Sequence, residues 1–229
     1  MTSKYCNILH LRDNNLPLYE ELKHTFASQD FPCLFAINSF HKKHMYIYDT
    51  TNYKYEDCQK KYLDVYKQLK CFSEYVEKIG DDKNFCTLLI VFPNLRDTTP
   101  SSIEDFIFSL LINLKNLDST QDQINRIDII EDDFEFSLDN KIWFPVFLCP
   151  EHVSTIRKSS LSVVAFQPKK TFETLKKCPN NFYEKTRQAT HHRIDKVYDF
   201  KKPFFLSNKS SGINAIQYLG FDPIHPEEY

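Results

Sequence analysis

His152 and Arg157 lie five positions apart in the segment Pro150-Glu151-His152-Val153-Ser154-Thr155-Ile156-Arg157, directly after the apolar run WFPVFLC at 143 to 149. An imidazole can ligate a metal, and a guanidinium can pair with a carboxylate. Placed just past a strand, where α/β scaffolds bind ligands, the two suit a metal-bearing group with carboxylate arms, such as a haem with its propionates. The ordinary alternative for His152 is a structural imidazole that caps its own loop. Cys33, after Phe31-Pro32, offers a thiolate, and Cys149-Pro150 and Cys178-Pro179 resemble the Cys-Pro dipeptides that bind haem reversibly in some regulators. Each of these cysteines also reads as a small buried hydrophobe. His191-His192, near Arg193 and Asp195, forms a further cluster. Helix neighbours point about a hundred degrees apart and do not readily chelate one ion, so a solvated helix face is expected there.

Other templates fail. Three glycines, at 80, 212 and 220, cannot build a Walker loop or a dinucleotide fingerprint. There is no G-x-S-x-G elbow and no H-E-x-x-H helix. The 29 basic and 31 acidic residues are spread along the chain without a basic block to track phosphates, so nucleic acid is not an expected partner. No run approaches the ~20 apolar residues of a membrane span, and Arg12, Asp13, Glu20 and Glu21 stand where a signal peptide would be apolar. A cytoplasmic protein is expected. Its 7 cysteines, an odd number without a C-x-x-C pair, argue against a disulfide framework or zinc ribbon and for mostly reduced, buried thiols. A total of 20 Phe and 13 Tyr predicts a ring-rich core that would also suit a flat aromatic ligand, although compositional drift gives the same count.

The elements that must position these residues follow from periodicity. Asn15-Leu16-Pro17 reads as a helix entrance, with Leu18, Leu22 and Phe26 as the buried stripe. CLFAINSF at 33 to 40 and MYIYD at 45 to 49 read as strands, with the polar stretch His41-Lys42-Lys43-His44 as a turn between them. A long amphipathic helix is predicted between Tyr53 and Ile79, stopped by Gly80. FCTLLIVF at 85 to 92 has the continuous apolarity of a central strand covered on both faces. Ser101 and Glu104 form a predicted capping box for a helix carrying Ile103, Ile107, Leu110, Leu111 and Leu114. The acidic stretch 118 to 133 is expected to be a mobile surface connection. FEFSLDNKIWFPVFL reads as a hairpin turning at Asp139-Asn140, followed by a strand at 162 to 166. Helices are predicted at 170 to 177 and 181 to 198, the second with Phe182, Tyr183, Thr186, Ala189, Ile194 and Val197 on one side, and the tail from Pro203 is turn-rich. The sum is an α+β fold in which a mixed, largely antiparallel sheet packs against several helices, in a single domain over residues 1 to 229.

Several segments, kept in order, resemble the YqcI/YcgG family: FPCLFA at 31 to 36, FEFSL at 134 to 138, FPVFLCPEHVSTIR at 144 to 157, VVAFQPKKTFETL at 163 to 175, the region Arg187 to Asp195, and INAIQYLG at 213 to 220. The resemblance covers almost the whole chain. It implies haem binding, because relatives include haem-dependent N-hydroxylases that act on guanidino groups in guanitoxin formation and on arginine in D-cycloserine formation. The family's histidine followed five residues later by an arginine is matched by His152 and Arg157, which implies His152 as the iron ligand of a haem b and Arg157 as a propionate partner. Its Phe-Pro-Cys is matched by Phe31-Pro32-Cys33 and its Gln-Tyr by Gln217-Tyr218. Where some members carry histidines near positions 169 and 115, this chain has lysine at both. The implied activity is N-hydroxylation of a small nitrogen compound, a guanidine or an amino acid such as arginine, with Asp195 and Glu173 as candidate carboxylates for a cationic substrate and an external electron donor. The alternatives are a non-catalytic haem-binding or haem-sensing protein and a cofactor-free interaction domain, and the oligomeric state is left open.

Overall fold

The fold is described from a computed structural model, over residues 9–10, 17–28, 31–54, 57–79, 86–93, 95, 97–120, 122–199 and 214–221. In chain order these form β1 (Leu9–His10), α1 (Pro17–Phe26), α2 (Leu34–His41), β2 (Met45–Asp49), α3 (Cys58–Ile79), β3 (Thr87–Phe92), α4 (Pro100–Asn116), α5 (Arg126–Ile130), β4 (Ser137–Leu138) and β5 (Lys141–Leu148). A 3₁₀ turn (Thr155–Arg157), β6 (Ser162–Pro168), α6 (Lys169–Lys176), a second 3₁₀ turn (Pro179–Asn181), α7 (Phe182–Val197) and α8 (Asn214–Leu219) complete them. The strands run in the order β1-β2-β3-β6-β5-β4. Only β2 and β3 are parallel, because α3 carries the chain back between them; the other neighbouring pairs are antiparallel. This is the expected α+β class.

β3 is buried along its whole length, as its unbroken apolarity requires of a central strand covered on both faces. Strand alternation sorts the core into two layers. Leu88, Ile90 and Phe92 of β3 join Tyr46, Tyr48, Trp143, Phe147, Val164 and Phe166 under α3, α4 and α8. Leu89 and Val91 join Met45, Ile47, Leu148, Val163 and Ala165 on the side of α1 and α2. The hairpin forms as predicted, with Asp139 and Asn140 both at positive φ between β4 and β5. Asp118 fixes it from outside by accepting from the backbone N–H of Asp139 at 2.7 Å.

Several expectations are corrected. CLFAINSF is not a strand but α2, whose buried residues Ala36, Ser39 and Phe40 follow the i, i+3, i+4 spacing of a helix. A short apolar run between polar flanks fits a buried helix as well as a strand, and Cys33, in extended conformation, is the N-cap from which the helix starts. The polar stretch 41 to 44 therefore ends a helix, with Lys43 at positive φ, instead of turning a hairpin. The cap of α4 is Thr99, two residues before the expected Ser101, since Pro100 occupies the first turn and Thr99 Oγ1 accepts from the Ser102 N–H at 3.3 Å. The acidic connection contains α5, started by a capping box of Asn125 and Asp128. The tail contains α8. The expected starts at Asn15 and stop at Gly80 lie outside the described residues. Among the described residues Cys33, Cys58, Cys86, Cys149 and Cys178 stand outside any disulfide, while Cys71 is disulfide-bonded. Among the same residues no helix is long and apolar enough to cross a membrane.

Candidate functional site

On the α1 and α2 side the sheet is not filled. Ala165 stands in register between Leu89 and Val146, and its single methyl leaves a dent in that row. Thr87 and Gln167 beside it are linked by a hydrogen bond of 3.2 Å from Gln167 Nε2 to Thr87 Oγ1. Above this floor is a cavity of about 400 Å³, within the range of about 300–1,000 Å³ usual for small-molecule sites. Phe31, Pro32, Cys33, Phe35 and Ala36 form one wall, Phe144 and Phe172 another, and Ile156, Arg157, Asn214 and Gln217 close one side.

The remaining wall is α7. Tyr183, Arg187, Thr190, His191 and Ile194 line the cavity, and their spacing of i, i+4, i+7, i+8 and i+11 is one face of a helix. Tyr183 packs against Phe35 at 5.5 Å between ring centroids, and Thr190 Oγ1 accepts from the Leu34 N–H at 3.3 Å. These contacts fix α7 against the start of α2. His191 is half-buried in the wall while His192 is exposed, so the adjacent pair divides as helix geometry demands. Of the expected stripe on α7, Thr186 and Ile194 are buried and Tyr183 is half-buried, whereas its end residues Phe182 and Val197, each 36% exposed, and Ala189 face outward.

Cys33 and Arg157, both predicted from the sequence, meet in this cavity. Burial pushes the Cys33 thiol up from its ordinary range, opposed by the backbone N–H of Ala36 and by the Arg157 charge. Arg157 donates from Nη2 to the Gln217 carbonyl at 2.8 Å, and its buried Nε–H has no hydrogen-bond acceptor among the described residues. Among the described residues no carboxylate pairs with it. Burial disfavours its charge, but a guanidinium does not give up its proton, so the cavity wall carries a cation.

His152 is the exception. It is 1% exposed, is not part of the cavity wall, and uses both ring nitrogens. Nδ1 accepts from the Ser154 N–H at 2.9 Å, which leaves the proton on Nε2 to be donated to the Leu219 carbonyl, also at 2.9 Å. Burial, helped by the Arg157 charge, lowers its pKa to about 4, so the ring is neutral. An imidazole held this way has no lone pair for iron without breaking the loop it closes. The geometry is that of the structural imidazole, the ordinary alternative for His152.

Cys149 and Cys178 do not reach the cavity either. Cys149 is completely buried and its thiol is pushed up to about 11, and Cys178 Sγ lies 3.8 Å from the Thr174 carbonyl. The two lysines that replace histidines have structural partners: Lys115 donates to the carbonyl and hydroxyl of Ser137, both at 3.0 Å, and Lys169 pairs with Glu135. Glu173 lines two clefts beside β5 instead of the cavity, and Asp195 is absent from its wall. No group of three or more His, Cys, Asp or Glu side chains that could hold a metal ion occurs among the described residues.

The profile of the YqcI/YcgG family matches residues 22–222, most of the chain and all of the cavity wall. The chain belongs to the YqcI/YcgG family. Searches of curated proteins and of solved structures found no match. The segments that carried the resemblance, from Phe31 to Gly220, all fall within the matched residues. Of the site residues inferred for it, Cys33 and Arg157 share the cavity and His152 stands behind it. From the sequence, His191 joins His192 in a cluster for which a solvated helix face is expected, and Arg187 is given no role; the face that Arg187 and His191 share with Tyr183 and Ile194 is the signal that joins them.

Proposed function

We propose that this YqcI/YcgG protein is a haem-dependent monooxygenase that N-hydroxylates a small nitrogen compound, with the α7 cavity as its site. The observation that carries the reading is that one aromatic-walled cavity gathers an imidazole, a thiol and two guanidinium groups. That donor set fits a haem b, provided His191 takes the ligand role first given to His152. His191 would hold the iron, and Arg157, with Arg187 further along, would pair with the propionates. Phe35, Phe144 and Phe172 would pack on the flat ring and keep water from it. Bound haem would supply the iron centre at which dioxygen is activated, with electrons from an external donor. The Gln217 and Asn214 side chains, on the α8 side of the wall, would orient the polar end of the substrate.

Cys33 favours a second reading. A thiol and an imidazole in one cavity would both be able to hold the iron and so keep dioxygen from it, which is the behaviour of a haem sensor. The test is to supply haem-loaded protein with a chemical reductant, air, and a panel of guanidines and amino acids, and to search the products by mass spectrometry for addition of one oxygen. Formation of an N-hydroxylated product is the expected result. Stable haem binding with no such product from any compound would replace the oxygenase reading with the sensor.

A further inference from the structure

The loop that carries His152 and Arg157 grips the C-terminal turn of α8 at two points. His152 donates to the Leu219 carbonyl and Arg157 donates to the Gln217 carbonyl. Directly after these points comes Gly220, at φ +83°, packed so tightly against Arg157 that a Cβ there would lie 2.6 Å from Arg157 Cγ. A side chain at 220 would be strained by its backbone and would displace the arginine. The rings of Phe147 and Phe221 flank His152, each with its centroid 6.0 Å away, so the imidazole is held as firmly as the carbonyl it holds.

We propose that His152 is a positioning residue for the cavity: by fixing the end of α8 it places Gly220 as the rest on which the Arg157 guanidinium is aimed at an anionic group beside Cys33. The proposal rests on the cavity being the ligand site and not on that ligand being haem. His152 supplies a neutral donor and acceptor at fixed spacing, so removal of either hydrogen bond loosens the α8 turn. Arg157 then loses both its Gln217 anchor and its backstop. A glutamine at 152 can present an N–H donor and a carbonyl acceptor on a planar group, and so can preserve the grip.

The test needs no cofactor. Alkylation of Cys33 by iodoacetate, an anion, and by iodoacetamide, its neutral counterpart, is followed peptide by peptide by mass spectrometry, with Cys58 on α3 as the internal reference. In the wild type the iodoacetate to iodoacetamide rate ratio should be about three- to tenfold higher at Cys33 than at Cys58, the range for one unit charge roughly 3–6 Å away at a water-like effective dielectric. Arg157→Gln removes that excess. His152→Phe and, independently, Gly220→Ala should lower it toward the Arg157→Gln value, with the iodoacetamide rate at Cys33 falling less than the iodoacetate rate, and His152→Gln should keep it. A variant that merely loosens the fold raises both rates together. The proposal is overturned if His152→Phe and Gly220→Ala keep the wild-type ratio, if both reagents speed up equally, or if Arg157→Gln leaves the ratio unchanged. Failure of haem uptake would alter none of these readings.

Discussion

On the face of the sheet under α3, α4 and α8, the strands present Phe92, Trp143, Phe147 and Phe166, and the helices answer with Phe72 and Phe108, all at most 2% exposed. On the opposite face the same strands present Leu89, Ala165, Val146 and Leu148, and the space above them is the cavity. One layer is close-packed ring against ring, with Trp143 and Phe166 edge to face at 6.4 Å. The other is held apart by the α2 and α7 walls. Stability is concentrated on the first face and chemistry on the second, with His152 on the first layer reaching across to aim Arg157 on the second.

The largest effect should come from the filled face. Phe147→Ala leaves a void where nothing can collapse and should cost about 3–5 kcal/mol, whereas Phe172→Ala on the open cavity wall should cost far less. Urea unfolding of the two variants checks this, and similar losses would erase the distinction between the layers. Acid gives the next effect. Folded His152 stays neutral down to about pH 4, whereas in the unfolded chain it takes up a proton near its ordinary 6.5. Its contribution is therefore complete above pH 6.5 and is lost as pH falls toward 4, by up to about 3 kcal/mol. A pH series of urea midpoints should show that slope in the wild type and a shallower one in His152→Gln; parallel slopes would mean the ring is not held neutral.

Smaller changes probe the cavity. Ala165→Leu fills the dent in the floor and should abolish ligand uptake while moving stability by about 1–3 kcal/mol at most, measured as haem binding beside a thermal melt. Unchanged uptake would place the ligand elsewhere. The smallest effect belongs to Lys169→Ala, which breaks an ion pair whose partners are 40% and 37% exposed and should shift stability by less than about 1 kcal/mol. A loss of haem binding in that variant would restore the importance of position 169.

How far these features could be read from the sequence depended on how local their causes are. The unbroken apolarity of β3, the turn chemistry of Asp139-Asn140 and the amphipathic period of α3 are local, and each predicted its element. CLFAINSF was misread because a buried helix and a buried strand share an apolar run, and only the packing of Ala36, Ser39 and Phe40 separates them. The site was half legible. Cys33 and Arg157 stood out as chemistry beside apolar segments, and the fold joins them across 124 residues of sequence. For His152 the sequence left a metal ligand and a loop cap both open; the Ser154 N–H is local, but the Leu219 carbonyl that takes the other nitrogen comes into view only when α8 is folded against the loop. His191 was hidden by its polar neighbours, because a helix face that lines a cavity carries the same residues as one that faces water.

The most direct test of the account is the absorption spectrum of the protein titrated with haemin, alongside His191→Ala and His152→Gln. A Soret band that saturates in the wild type, persists in His152→Gln and is lost or displaced in His191→Ala is the predicted result. A band unaffected in His191→Ala but lost in His152→Gln would contradict it and return the iron to the loop after β5.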